Sequence, residues 1–165
     1  MQIDYGKLQY QYQLYKEEID KSIHNVLDKS NYIMGEEVSA LEASLEKFTG
    51  SKYAVSCSSG TDALLLAMMA LNIKARDEII TTPFSFISTA ETIACMGAIP
   101  VFVDIDERTF NIDPLKIEEK ITSKTKAIMP VSLYGQPSDM TSIQKIADQY
   151  NLKVIVDGAQ SFGST

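Results

Sequence analysis

The chain has 165 residues, about the size of one domain, and carries 15 basic and 22 acidic side chains for a formal net charge of −7. An acidic surface repels phosphate backbones, so nucleic-acid binding is disfavoured. With 45% hydrophobic and 22% charged residues, a disordered chain is excluded as the main state. The apolar run at residues 63–71 is too short for a bilayer, which needs roughly 20 residues. Two cysteines and the lack of a signal-peptide pattern predict a cytoplasmic protein.

The first part of the chain has helical periodicity. Apolar residues recur at helical spacing over residues 9–29, and again from residue 36 until Gly50 supplies a stop. We therefore predict an N-terminal helical segment over residues 1–50. The periodicity changes after Gly50, which marks the start of a second part at residues 51–165.

In this second part, short apolar runs alternate with helical stretches. The predicted strands are 53–57, 78–82, 99–103, 127–131 and 153–156, and the predicted helices are 61–71, 87–96, 114–121 and 138–150. The alternation predicts an α/β fold, with a mainly parallel sheet between flanking helices (α/β/α). Because the crossovers are right-handed, all strand carboxyl ends meet at one edge of the sheet, where ligands bind in open α/β folds.

The loop at residues 58–62, Ser-Ser-Gly-Thr-Asp, lies between a predicted strand and a predicted helix. A helix N-terminus offers unpaired N–H groups, Gly60 lets a ligand approach the backbone, and the Thr61 hydroxyl adds a donor. These features suit a phosphate group. A plain helix cap explains the same residues, and neither a P-loop nor a Rossmann fingerprint is present.

Two further candidates follow predicted strands. Asp157 ends a buried strand, where a carboxylate needs a partner such as a protonated ring nitrogen of a ligand, and Gln160 can reach the same ligand. An Asp that only caps the following turn is the alternative. Phe86 follows the second strand and could stack on a planar ring or simply close the core. Four polar residues after the third strand, Asp104, Asp106, Asn111 and Asp113, could mimic a metal site, but their spacing matches no metal loop. We interpret them as solvated turn residues and predict no metal site.

Six stretches together resemble the DegT-type sugar-nucleotide aminotransferases, a family of fold-type I pyridoxal-phosphate enzymes. They are residues 31–38 (NYIMGEEV), 59–64 (SGTDAL), 83–91 (PFSFISTAE), 125–131 (TKAIMPV), 133–136 (LYGQ) and 157–163 (DGAQSFG). The resemblance extends over essentially the whole chain. It implies that residues 51–165 are the first part of the large, cofactor-binding domain of such an enzyme.

The resemblance also implies a role for each candidate residue. Gly60 and Thr61 would hold the phosphate of pyridoxal 5′-phosphate, and Phe86 would stack on the pyridine ring. Asp157 would pair with the protonated ring nitrogen, and Gln160 would reach the phenolic oxygen. The implied reaction transfers an amino group, from glutamate, to a nucleotide-linked keto sugar in amino-sugar or polysaccharide biosynthesis. The closest likeness is to enzymes that aminate UDP-linked 3-keto-hexoses or 3-keto-uronic acids.

In the family, the Schiff-base lysine lies further along than Thr165. The resemblance therefore identifies this chain as an N-terminal part without the small domain, and we assign it no catalytic residue. Two alternatives stay open: an inactive truncated product, or a member of the family that dehydrates sugars and has histidine in place of the lysine. The complete family enzyme is expected to be a homodimer. A flavodoxin-like binding module is a further alternative that the specific motifs disfavour.

Overall fold

The computed structural model describes residues 6–164, so the start of the predicted helical segment, residues 1–5, lies outside the described residues. The chain divides into two compact units, Met1–Ser56 and Cys57–Thr165. Within residues 6–164, no helix combines the length and the apolar character that a bilayer span requires.

The N-terminal unit is helical. Its helices are α1 (Leu8–Leu14), α2 (Lys16–Lys29) and α3 (Glu36–Thr49). The prediction of one helix over residues 9–29 is wrong, because the chain leaves helical geometry at Tyr15, whose amide is shared between the carbonyls of Gln11 and Tyr12. Gly50 ends α3 in the left-handed conformation, at φ 71°, as the sequence predicts.

The predicted strand at residues 53–57 is not formed. Instead, two alternate amides of this segment donate to carboxylates of α3: Ala54 N to Glu46 Oε1 at 3.1 Å, and Ser56 N to Glu42 Oε1 at 2.7 Å. The Ser56 amide holds the pKa of the Glu42 carboxyl below its ordinary value. The segment lacks a ladder because no strand within residues 6–164 pairs with it, and an unpaired segment does not make a sheet.

The C-terminal unit contains a four-stranded sheet in the order β2-β1-β3-β4, with every neighbouring pair parallel. Its elements are α4 (Gly60–Ala70), β1 (Glu78–Thr81), α5 (Ser88–Cys95), β2 (Ile99–Phe102), β3 (Thr125–Ile128), α6 (Met140–Tyr150) and β4 (Lys153–Val154). The predicted helix at 114–121 is wrong, because only two 3₁₀ turns form, at Pro114–Lys116 and Glu118–Lys120. Leu115 is exposed and Ile117 is fully buried, so the segment buries one apolar side chain and does not present an apolar helical face to the core.

The core forms two layers, one on each face of the sheet. Ile79 packs with α4 and α5 on one face, and the next residue, Ile80, packs with α6 on the other. Neighbouring strand residues point to opposite faces, so this arrangement buries the sheet on both sides. The α/β/α architecture expected from the sequence is confirmed.

The direction of α4 follows from the position of its C-terminal end. The residues just after α4, 71–74, line a cleft with Lys126 and Lys153, which lie near the starts of β3 and β4. The C-terminus of α4 is therefore at the amino edge of the sheet. Its N-terminus consequently points to the opposite edge, where the strands end and where the ligand site is expected.

Candidate functional site

The N-terminus of α4 is held by a local network of hydroxyls and one carboxylate. Ser59 is the N-cap, and its Oγ accepts from the Asp62 amide at 3.1 Å. The hydroxyls of Ser58 and Ser59 both donate to Asp62 Oδ2. This N-cap fixes the helix start without using the amides of the first two helical residues.

Those two amides are the donors that a ligand could use. In the described part of the chain, the amides of Gly60 and Thr61 and the Thr61 hydroxyl have no hydrogen-bond partner, as expected for the first turn of a helix. A Cβ added to Gly60 would meet nothing within 4 Å. The space beside the backbone is therefore open, and three donors at the positive end of a helix dipole suit a phosphate.

Asp157 lies just beyond β4, and its backbone continues the parallel pairing. Its amide donates to Pro130 O at 2.9 Å, and its carbonyl accepts from Ser132 N at 3.0 Å. The side chain is partly buried, and Oδ1 accepts from Ala159 N at 3.2 Å. Within residues 6–164 no salt bridge reaches this carboxylate. A partly buried carboxylate without a cation favours a positively charged ligand group.

Thr89 connects Asp157 to the turn that carries Phe86. The Thr89 hydroxyl donates to Asp157 Oδ2 at 3.4 Å, and the Thr89 amide donates to Phe86 O at 3.1 Å. The Phe86 side chain is 70% exposed just before α5, so the alternative in which it closes the core is wrong. An exposed aromatic ring on this turn can cover one face of a planar ligand.

Gln160 is oriented by a backbone amide in the loop that follows β3. Its Oε1 accepts from the Tyr134 amide at 2.9 Å, which leaves the Nε2 group as a donor with no partner in the described residues. Tyr134 has a left-handed backbone, at φ 55°. The loop that carries Tyr134 is held by the side chain of the buried Asn111. Its Oδ1 accepts from Leu133 N, and its Nδ2 donates to the carbonyls of residues 136 and 137.

The structure therefore brings together Phe86, Asp157 and Gln160 at the carboxyl edge, and it directs the N-terminus of α4 toward the same edge. Sequence reasoning assigned no role to Thr89 or Tyr134. Its interpretation of Asn111 as a solvated turn residue is wrong, because Asn111 is buried and its side chain is hydrogen-bonded to the backbone of the loop that follows β3. Thr89 carried one usable signal, a hydroxyl three residues after the candidate aromatic residue on the first turn of a helix. Tyr134 contributes its backbone amide, which every residue except proline has, and Asn111 contacts a loop that is distant in the sequence. Neither role could be recognised from the neighbouring residues in the sequence.

The fold and the site define an α/β protein with anion donors, an exposed aromatic face and a carboxylate at the carboxyl edge of its parallel sheet. A match to the DegT/DnrJ/EryC1/StrS aminotransferase family covers residues 13–165. The chain belongs to this family, which confirms the identification from the six sequence stretches.

A curated relative and two solved structures illustrate this membership. The UDP-2-acetamido-2-deoxy-3-oxo-D-glucuronate aminotransferase of Pseudomonas aeruginosa is 50% identical over 163 residues, which are 99% of this chain and 45% of that protein. This chain thus spans just under half of that relative's length.

The structure of S. venezuelae DesV in complex with a ketimine intermediate aligns with a TM-score of 0.93 and 36% identity, over 95% of this chain and 42% of that one. GDP-4-keto-6-deoxymannose-3-dehydratase, solved with a trapped PLP–glutamate geminal diamine, aligns with a TM-score of 0.82 and 39% identity. That alignment covers 88% of this chain and 39% of the dehydratase. These neighbours confirm the fold-type I assignment.

Proposed function

We propose that the complete protein is a pyridoxal-phosphate-dependent aminotransferase that acts on a nucleotide-linked keto sugar. The observation that carries this proposal is the Asp157 carboxylate, which is partly buried, has both oxygens hydrogen-bonded and has no cation in the described structure. A carboxylate in this state fits the protonated ring nitrogen of pyridoxal phosphate better than it fits a neutral ligand.

The other candidate residues fit the remaining parts of the cofactor. The free amides of Gly60 and Thr61 suit its phosphate, and the exposed face of Phe86 suits its ring. The Gln160 Nε2 group is a donor without a partner in residues 6–164, and a phenolic oxygen is an acceptor. The phosphate, the ring face, the ring nitrogen and the phenolic oxygen thus each have a counterpart of the right kind in this chain.

The protonated pyridine ring, when bound, supplies an electron sink for moving an amino group between a donor and a keto sugar. The residues of this chain prepare that chemistry. Asp157 would hold the proton at the ring nitrogen, and Phe86 would shield one ring face from water. Gly60 and Thr61 would bind the phosphate. Gln160 would donate to the phenolic oxygen.

The substrate class is proposed from the relatives. The P. aeruginosa relative is named for a UDP-linked 3-oxo-glucuronate, and we propose a nucleotide-linked keto sugar of this kind for the complete protein. The dehydratase structure holds a PLP–glutamate adduct, and we propose glutamate as the amino donor. We further propose a cytoplasmic homodimer that serves amino-sugar or polysaccharide biosynthesis, with residues 51–165 as the first part of its large domain.

A sugar dehydratase is the second candidate, because a dehydratase aligns at 39% identity. The two reactions differ in their products. Incubation of the complete protein with glutamate and a nucleotide-linked keto sugar should release 2-oxoglutarate and an equal amount of amino sugar. A keto sugar that loses a hydroxyl, with no amino sugar formed, would instead identify the dehydratase.

The role of Asp157 is tested by Asp157→Asn, which keeps the size of the side chain and removes its charge. We expect the rate of amino transfer to fall on the order of 10²–10³-fold, because a preorganised charge at the ring nitrogen is lost. Asp148→Asn is the matched control, since Asp148 is an exposed carboxylate on α6. Wild-type turnover by purified Asp157→Asn would contradict the proposal.

A further inference from the structure

Thr89 is a buried residue with its hydroxyl between two polar groups. Its side chain is on the second residue of α5, and the residue is 1% exposed. Its Oγ1 lies 2.9 Å from Ser85 Oγ and 3.4 Å from Asp157 Oδ2. A hydroxyl has one proton, so the donation to Asp157 requires that Ser85 donates to Thr89. The result is a directed chain from Ser85 through Thr89 to Asp157.

This chain bears on the orientation of the Asp157 carboxylate. Oδ1 accepts from the Ala159 amide, and without Thr89 this single contact would leave the carboxylate plane free to tilt about the soft Cβ–Cγ bond. With Oδ1 bound to the Ala159 amide and Oδ2 bound to the Thr89 hydroxyl, the carboxylate is held in one orientation. Its other lone pairs stay available to a ligand. At 3.4 Å the Thr89 contact is long, as hydrogen bonds in ligand-free active sites often are before the ligand is bound.

We infer that Thr89 is a positioning residue, whose hydroxyl orients the Asp157 carboxylate for the ring nitrogen of the cofactor. This inference rests on the proposed function, because it concerns the same carboxylate. The role is carried by a contact between residues 68 positions apart. A purely structural threonine would satisfy its hydroxyl within its own helix, as Thr92 does by donating to Thr89 O at 3.4 Å.

Thr92 is therefore the matched control. It lies one turn further along α5, it is also 1% exposed, and its hydroxyl makes only an intrahelical bond. Thr89→Val and Thr92→Val remove the same group from equally buried sites with almost no change in volume. Thr89→Ser keeps the hydroxyl and should restore the function that Thr89→Val loses.

The experiment measures the dissociation constant of pyridoxal phosphate for the complete protein and its variants by absorbance titration. The absorbance of the bound cofactor is then followed against pH. We expect Thr89→Val to weaken binding about three- to tenfold and to shift the pH profile, because a hydrogen bond to a charged group is lost. Thr89→Ser and Thr92→Val should stay within about twofold of wild type.

Equal affinity and an unchanged pH profile in Thr89→Val would overturn the inference, as would an equal loss in Thr92→Val. If Thr89→Val does not fold, Ser85→Ala decides, because it removes the outer donor of the chain: weakened binding supports the inference and unchanged binding overturns it. Asp157→Asn separates the two claims. If it turns over substrate as wild type does, the proposed function fails as well. If it loses turnover while Thr89→Val keeps the wild-type affinity and pH profile, only the role of Thr89 fails.

Discussion

The two parts of the candidate site are built in different ways. The α4 terminus, residues 58–62, is held by hydrogen bonds between residues three or four positions apart. The Asp157 corner, made of Thr89, Tyr134, Asp157 and Gln160, is held by bonds that span 68 and 26 positions. A local network forms whenever the helix forms, whereas the corner exists only when the sheet and its loops are assembled. The α4 terminus should therefore tolerate substitutions that the corner does not.

Asn111→Ala should have the largest effect on stability, because the Asn111 side chain holds the loop that carries Tyr134 in the Asp157 corner. The side chain is 3% exposed, and its loss leaves the Leu133 amide and two carbonyls without partners. We expect the free energy of unfolding of the complete protein to fall by about 2–3 kcal/mol in urea denaturation. Asn25→Ala, at an exposed asparagine bonded to Glu37, is the control and should cost at most about 0.5 kcal/mol. Equal losses of unfolding free energy in Asn111→Ala and Asn25→Ala would contradict the idea that distant hydrogen bonds hold the Asp157 corner.

Gly60→Val tests the α4 terminus as a ligand site rather than a structural element. The added Cβ meets no protein atom within 4 Å, so the denaturation midpoint should stay close to wild type. A phosphate on the Gly60 amide would be displaced, and we expect the dissociation constant of pyridoxal phosphate to rise about tenfold. Gly6→Val, at another glycine with open space around it, should leave both quantities unchanged. Cofactor retention equal to wild type after dialysis of Gly60→Val would count against the phosphate site.

Ser59→Ala should have a smaller effect, which is confined to the helix start. It removes the acceptor of the Asp62 amide, and loss of such an N-cap costs about 1 kcal/mol. Ser59→Asn keeps a capping side chain, so its free energy of unfolding should stay within about 0.5 kcal/mol of wild type. If the two variants lose the same stability, the cap is not what holds the α4 terminus.

Asp139→Asn gives the smallest expected effect and shows how little a local cap contributes elsewhere. Asp139 caps α6, and its hydrogen bonds from Ser142 hold the pKa of its carboxyl below the ordinary value. A lowered pKa in the folded state stabilises the protein above the unfolded-state pKa of about 3.9, and this contribution is lost as the pH falls through the folded value. We expect Asp139→Asn to cost about 0.5 kcal/mol at pH 7, because solvent screens the exposed carboxylate. The difference should vanish at pH values below the folded pKa, and a difference that persists there would exclude charge as its cause.

The contrast between local and distant bonds also explains what could be predicted from the sequence. The cap at Ser59, the parallel sheet and the positions of Gly60, Asp157 and Gln160 follow from short motifs and from hydrophobic periodicity. Residues 53–57 have the composition of a strand, but a strand forms only beside a neighbouring strand. In this structure two of its amides donate instead to the carboxylates of Glu42 and Glu46. The roles of Thr89, Tyr134 and Asn111 depend on contacts across the fold, which one sequence without its structure does not reveal.

The central claim is that the α4 terminus and the Asp157 corner bind one cofactor together. A crystal structure of the complete protein with pyridoxal phosphate tests this most directly. The account predicts phosphate oxygens within about 3.2 Å of the amides of Gly60 and Thr61, and the ring nitrogen within about 3 Å of an Asp157 carboxylate oxygen. A phosphate bound away from the α4 terminus, or a ring nitrogen that faces solvent instead of Asp157, would contradict it.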